Sequence, residues 1–175
     1  SAAYVGRETE ALCLMYGKLS RAKRRYKVGA AAVSFESLMR APSAADRWSW
    51  ECLYPAPYGT KVGEAQKERA IPVGLIHSLM RQESAFDPEV RSPVGAEGLM
   101  QVMPTTAEEI AKESKLENFK LDEVRTPELN MTLGSFYIAK MLKTFDGSLP
   151  LAVASYNAGP TAVSRWVEMA KEHEA

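Results

Sequence analysis

Thiols and imidazoles are scarce in this sequence, which has two cysteines and two histidines in 175 residues. His77 and His173 stand too far apart from other ligand types for a metal site or a Ser-His-Asp arrangement, so both read as surface histidines. Cys13 and Cys52 lie in neither a metal-ligand nor a redox spacing. In an oxidising compartment they could bridge; Cys13, flanked by Leu12 and Leu14, could equally be a buried free thiol. No metal or cofactor is expected. Charge of one sign is missing too: Lys plus Arg and Asp plus Glu are both 22, for a net charge of zero. That argues against a general nucleic-acid or anionic-membrane binder, whose affinity rests on excess cations. No apolar run approaches the roughly 20 residues that span a bilayer. The stretch Ser1 to Glu10 has neither the basic start nor the apolar centre of a signal peptide, so an exported protein would have had its signal removed.

A hydrophobic content of 46% with 25% charged residues is that of a globular chain able to bury a core, in one or two domains. Strand signals are weak throughout, and the fold class is expected to be mainly α. Helical spacing predicts a first helix from Thr9 to about Tyr26, ending in a basic cluster from Arg21 to Lys27 that reads as a solvated helix end complementing the dipole. A second, from Ala30 to Arg40, would follow a break at Gly29. Ser43 to Gly59, interrupted by prolines but carrying Trp48, Trp50, Leu53, Tyr54 and Tyr58, reads as a packed connector whose aromatics serve core packing rather than sugar stacking. Further helices are expected at Tyr58–Arg69, Pro72–Phe86, Thr105–Lys115, Pro127–Phe145, Ser148–Ser155 and Thr161–Glu172. Thr105 with Glu108 and Thr106 with Glu109 have capping-box spacing.

One carboxylate breaks the pattern. In Pro72–Phe86, Leu75, Ile76, Leu79, Met80 and Phe86 share one arc, and Glu83, four residues after Leu79, falls near its middle. His77, Ser78, Arg81, Gln82 and Ala85 take the other side. Pro88 must end the helix almost at once. An ionised Glu buried without a partner is costly, so the group is expected to hold its proton to a higher pH, as suits a general acid; pairing with a buried Arg is the structural alternative. Asp87, beside Pro88, reads as a turn residue and not as a second acid. Two glycines in the following loop, Gly95 and Gly98, allow backbone to pass close to another surface.

Arg81-Gln82-Glu83-Ser84, Ser92-Pro93-Val94-Gly95-Ala96, Gly98-Leu99-Met100-Gln101, Met103-Pro104-Thr105-Thr106-Ala107 and Tyr156-Asn157-Ala158-Gly159 occur in that order. In register, these pieces resemble the soluble lytic transglycosylases of bacterial cell walls, over about Tyr54 to Glu168. Two departures stand out: Ser155 replaces the family's usual Ala, and the family pattern usually continues beyond the Ala175 where this sequence stops. The resemblance implies a goose-type lysozyme-like helical catalytic domain over residues 54–175. Residues 1–53 would be a helical N-terminal segment, the possible end of a superhelical region. It implies cleavage of the β-1,4 bond between N-acetylmuramic acid and N-acetylglucosamine without water, giving 1,6-anhydromuramoyl ends. Glu83 would be the one catalytic acid and then base. Ser92, Gln101 and Met103 would line the substrate cleft, with Tyr156 and Asn157 facing Glu83 across it. Peptidoglycan glycan strands would be the partner, and the periplasm or cell envelope the location. A hydrolytic muramidase and a noncatalytic wall-binding module are the competing readings.

Overall fold

The computed structural model describes residues 7–174, with side chains through Glu172. It is mainly α, as expected; among the described residues the only extended pairing is two isolated bridges, Arg91 with Glu97 and Glu97 with Val102. Ten helices follow in order among those residues: α1 Glu8–Lys18, α2 Ala22–Ala32, α3 Phe35–Leu38, α4 Arg47–Leu53, α5 Gly59–Glu68, α6 Leu75–Ser84, α7 Pro104–Glu113, α8 Pro127–Thr144, α9 Leu149–Ala158 and α10 Pro160–Glu174.

The N-terminal part departs from the expected two helices. The chain breaks at Ser20, whose φ is +53°, so the basic cluster opens α2 instead of closing α1 and opposes the helix dipole there. Gly29 does not break anything. It lies inside α2 where α2 crosses α4, and a Cβ there would stand 2.1 Å from the Leu53 nitrogen. The missing side chain is thus what lets the two helices meet, and α1 packs on both. Cys13 and Cys52 form a disulfide, which settles the choice between bridge and free thiol and ties α1 to α4.

The rest follows the expected order closely. The core gathers Ile76, Leu79 and Met80 of α6 with Leu99, Met100 and Val102 of the loop and Leu133, Ile138 and Met141 of α8. Burying such side chains contributes about 1.5–3 kcal/mol each. α7 starts at Pro104 with Met103 at its N-cap and no side-chain cap, so neither threonine forms the anticipated box. α9 runs through Tyr156 and Asn157 to Ala158, which puts that pair on a helix and not in the break after it. His77 is not simply a surface group: half-buried, it lies 2.9 Å from the Pro57 carbonyl through Nε2. The side chain of His173 lies outside the described residues.

Candidate active site

α6 ends because its last turn has nowhere to continue. Ala85 and Phe86 both take left-handed φ, +51° and +63°, and Pro88 follows. Glu83 therefore stands in that last turn. It is half-buried, its Oε1 is shut off from solvent with no hydrogen-bond partner, and among the described residues it forms no ion pair. Burial alone pushes its carboxyl above the ordinary range. Pairing with a buried arginine is thereby ruled out. Arg81 is two residues away, roughly 200° around the helix, and its guanidinium lies over the rings of Tyr54 and Tyr26. It is half-buried on the side of α6 opposite the apolar arc. Asp87 has the anticipated turn role: Oδ1 accepts from the Glu89 N–H at 3.2 Å, and Oδ2 pairs with Lys23.

The loop after α6 is pinned from three sides. Ser84 Oγ donates to the Leu99 carbonyl at 2.8 Å, and Tyr156 Oη donates to the Met100 carbonyl at 2.8 Å. From α8, the wholly buried Asn130 accepts from the Met100 N–H at 2.7 Å through Oδ1 and donates to the Glu97 and Val124 carbonyls at 2.8 and 2.9 Å through Nδ2. Gly98 is where this needs a glycine: φ is +76°, and a Cβ would lie 2.6 Å from the Asn130 amide nitrogen. The close passage expected of the loop glycines occurs here, whereas Gly95 faces open space.

Gln101, Met103, Tyr156 and Asn157 come together as lining of one groove of about 260 Å³, beside Tyr137 and Thr106. The Tyr137 and Tyr156 rings sit 5.3 Å apart. Gln101 donates from Nε2 to the Gly98 and Val90 carbonyls at 2.9 and 3.3 Å, which commits its amide nitrogen to the loop and leaves its oxygen for a ligand. Asn157 is exposed, its amide bonded weakly at 3.3 Å to the Val153 carbonyl. Glu83 is not part of the groove lining; its link to it is Tyr156, whose phenol is pushed up first by burial and then by the Glu83 charge. Ser92 is not part of the lining either. Its Oγ accepts from the Ala96 N–H at 2.9 Å within its own turn, which leaves its proton and one lone pair for a ligand.

Sequence reading missed Asn130, Tyr137 and Thr106, and gave Ser84 no role. Asn130 carried a usable signal: it precedes Leu133, Gly134 and Ile138 on one arc of α8, and a polar residue on a buried arc needs partners.

The sequence profile described as Transglycosylase SLT domain matches residues 61–175. A soluble lytic murein transglycosylase of Escherichia coli strain K12 is 34% identical over 122 residues, which is 67% of this chain and 19% of that protein. Among solved structures, the 70 kDa soluble lytic transglycosylase from Escherichia coli superposes with a TM-score of 0.75 at 27% identity, over 90% of this chain and 24% of that one. An inactive Glu→Gln mutant of the lytic transglycosylase Slt from Pseudomonas aeruginosa superposes with a TM-score of 0.73 at 28% identity, over 89% and 24%. The chain thus spans about a fifth to a quarter of the length of these relatives.

Proposed function

The chain belongs to the transglycosylase SLT domain family, and from that premise we propose that it cleaves peptidoglycan as a lytic transglycosylase. The bond cut is the β-1,4 link between N-acetylmuramic acid and N-acetylglucosamine. Glu83, in its protonated form, gives its proton to the glycosidic oxygen. The resulting carboxylate then takes a proton from the muramoyl 6-hydroxyl, whose oxygen attacks the anomeric carbon and closes the 1,6-anhydro ring, so no water is consumed. One group serves as acid and then base, which needs a carboxyl poised above the ordinary range. The observation that carries the reading is the half-buried, unpaired Glu83 with one oxygen lacking any partner.

Hydrolysis by a carboxylate pair is the weaker reading. A second carboxylate would have to act as base or nucleophile, and Asp87 is engaged by Lys23 and by the Glu89 amide. Gln101, Met103, Tyr156 and Asn157 would hold a sugar in the groove, with the Gln101 oxygen accepting from an N-acetyl N–H or a hydroxyl. Ser92 would contribute its hydroxyl, as donor or through its remaining lone pair. Residues 54–175 would be the catalytic domain and residues 1–53 its helical support. Glycan strands would be met in the periplasm or envelope, a location that suits the Cys13–Cys52 bridge.

Mass analysis of wall digests tests this. The parent should release muropeptides with anhydromuramoyl ends, and Glu83→Gln should release none while remaining folded. Reducing ends without the anhydro ring would identify a hydrolase, and turnover by Glu83→Gln would remove the acid from the mechanism.

A further inference from the structure

Residues on both sides of Glu83 in the chain reach to the N-terminal helical part. Two residues before it, the Arg81 guanidinium lies 5.0 Å from the Tyr54 ring centre and 5.5 Å from that of Tyr26. Three residues after it, the buried Phe86 ring meets Tyr26 edge-on, with centroids 5.9 Å apart. The next residue, Asp87, pairs with Lys23. Lys23 and Tyr26 are three apart on α2, so one face of that helix holds the exit of α6 on both flanks of Glu83.

That exit needs holding. Ala85 and Phe86 are consecutive non-glycine residues at φ +51° and +63°. Side chains with a Cβ adopt this region at a cost, and two in succession persist only where their surroundings over-determine them. The Ser84 bond to the Leu99 carbonyl ties the turn to the loop. On the N-terminal side, the contacts to α2 and Tyr54 supply the rest.

We propose that Tyr26, aided by Lys23, is the positioning residue for Glu83, so that α2 sets where the α6 carboxyl is held. Neither residue touches the reacting atoms; each acts through Arg81, Phe86 or Asp87. The inference rests on Glu83 being the acid, as read above.

The test compares Tyr26→Ala, Tyr26→Phe and Lys23→Met with the parent and Glu83→Gln on purified glycan strands, following kcat, KM and the pH profile, with thermal unfolding as the check on folding. Tyr26→Ala should lower kcat at least about tenfold with little change in KM, since a small misplacement of a catalytic group is costly. The upper limb of its pH profile should move to lower pH, because water reaching the carboxyl lets it ionise sooner. Tyr26→Phe, which keeps the ring under Arg81 and against Phe86, should restore parental values. Lys23→Met should shift both readouts in the same direction by less.

A folded Tyr26→Ala with parental kcat and pH profile overturns the proposal, and inactive Glu83→Gln in the same series shows that the acid assignment survives it. A Tyr26→Phe protein as impaired as Tyr26→Ala also overturns it. Should Tyr26→Ala not fold, parental behaviour of Lys23→Met does so. Active Glu83→Gln removes the premise itself.

Discussion

The Tyr156 hydroxyl donates to the Met100 carbonyl at 2.8 Å, so its proton is committed to loop backbone and not to the Glu83 carboxylate. Tyr156 then acts on the site by holding the loop that carries Gln101, while its phenol still senses the Glu83 charge.

Tyr156→Phe should therefore cost both stability and turnover. The ring stays against Tyr137, but the Met100 carbonyl loses its side-chain donor, for a destabilisation of about 1 kcal/mol. Denaturant unfolding measures the first effect and muropeptide release the second. Parental values for both would show that the bond to Met100 holds nothing.

Glu83→Gln should be more stable than the parent at neutral pH, although inactive. Burial raises the carboxyl in the folded chain, so the folded state favours the acid form. That contribution is fully present below the ordinary carboxyl range and is lost as pH rises through the raised folded value. The neutral amide escapes the loss. Melting temperatures of the two proteins should coincide in acid and separate, with the amide higher, as pH approaches neutrality; a constant gap would mean that the carboxyl is not desolvated.

Asn130→Ala should be among the most damaging single changes in the chain. The amide serves three backbone groups from a fully buried position; the Glu97 carbonyl would keep the Val102 N–H, but leaving the Met100 N–H and the Val124 carbonyl without this partner costs about 3 kcal/mol or more. Activity should fall with it, because the same amide shapes the loop between α6 and the groove. Gly98→Ala should act alike through a forced φ and the Asn130 contact. Chemical denaturation would decide, and a cost near zero would show that the clasp is replaced by water.

What could be read in advance follows physical lines. α6 was legible because its apolar period is clean and Pro88 stops it, and Glu83 stood out against that period. The groove residues Gln101, Met103, Tyr156 and Asn157 were legible only as pieces of a family pattern. The break at Ser20 was not, since no glycine or proline marks it and Ser adopts the left-handed φ only under tertiary constraint. Gly29 misled in the opposite sense: its value is the missing Cβ at a helix crossing, and a single sequence cannot distinguish that from a helix break. Arg81 was placed only on the side opposite the apolar arc, because helical spacing does not reveal aromatic rings arriving from Tyr26 and Tyr54.

The disulfide offers a test of how far the N-terminal helices support the rest. Cys13 and Cys52 are 39 residues apart, and in the chain-entropy view closing a loop of that length stabilises the fold by about 4 kcal/mol. Cys52 adjoins Leu53, against whose backbone Gly29 of α2 is packed, and α4 leads directly into Tyr54 beneath Arg81. Cys13→Ser with Cys52→Ser should thus lower the unfolding midpoint markedly. Because α2 and Tyr54 flank the α6 exit, the double variant should also lose turnover at temperatures where the parent is fully active and the variant is still mostly folded. If stability falls but turnover per folded molecule stays parental, the bridge supports only the N-terminal helices and not the placement of Glu83.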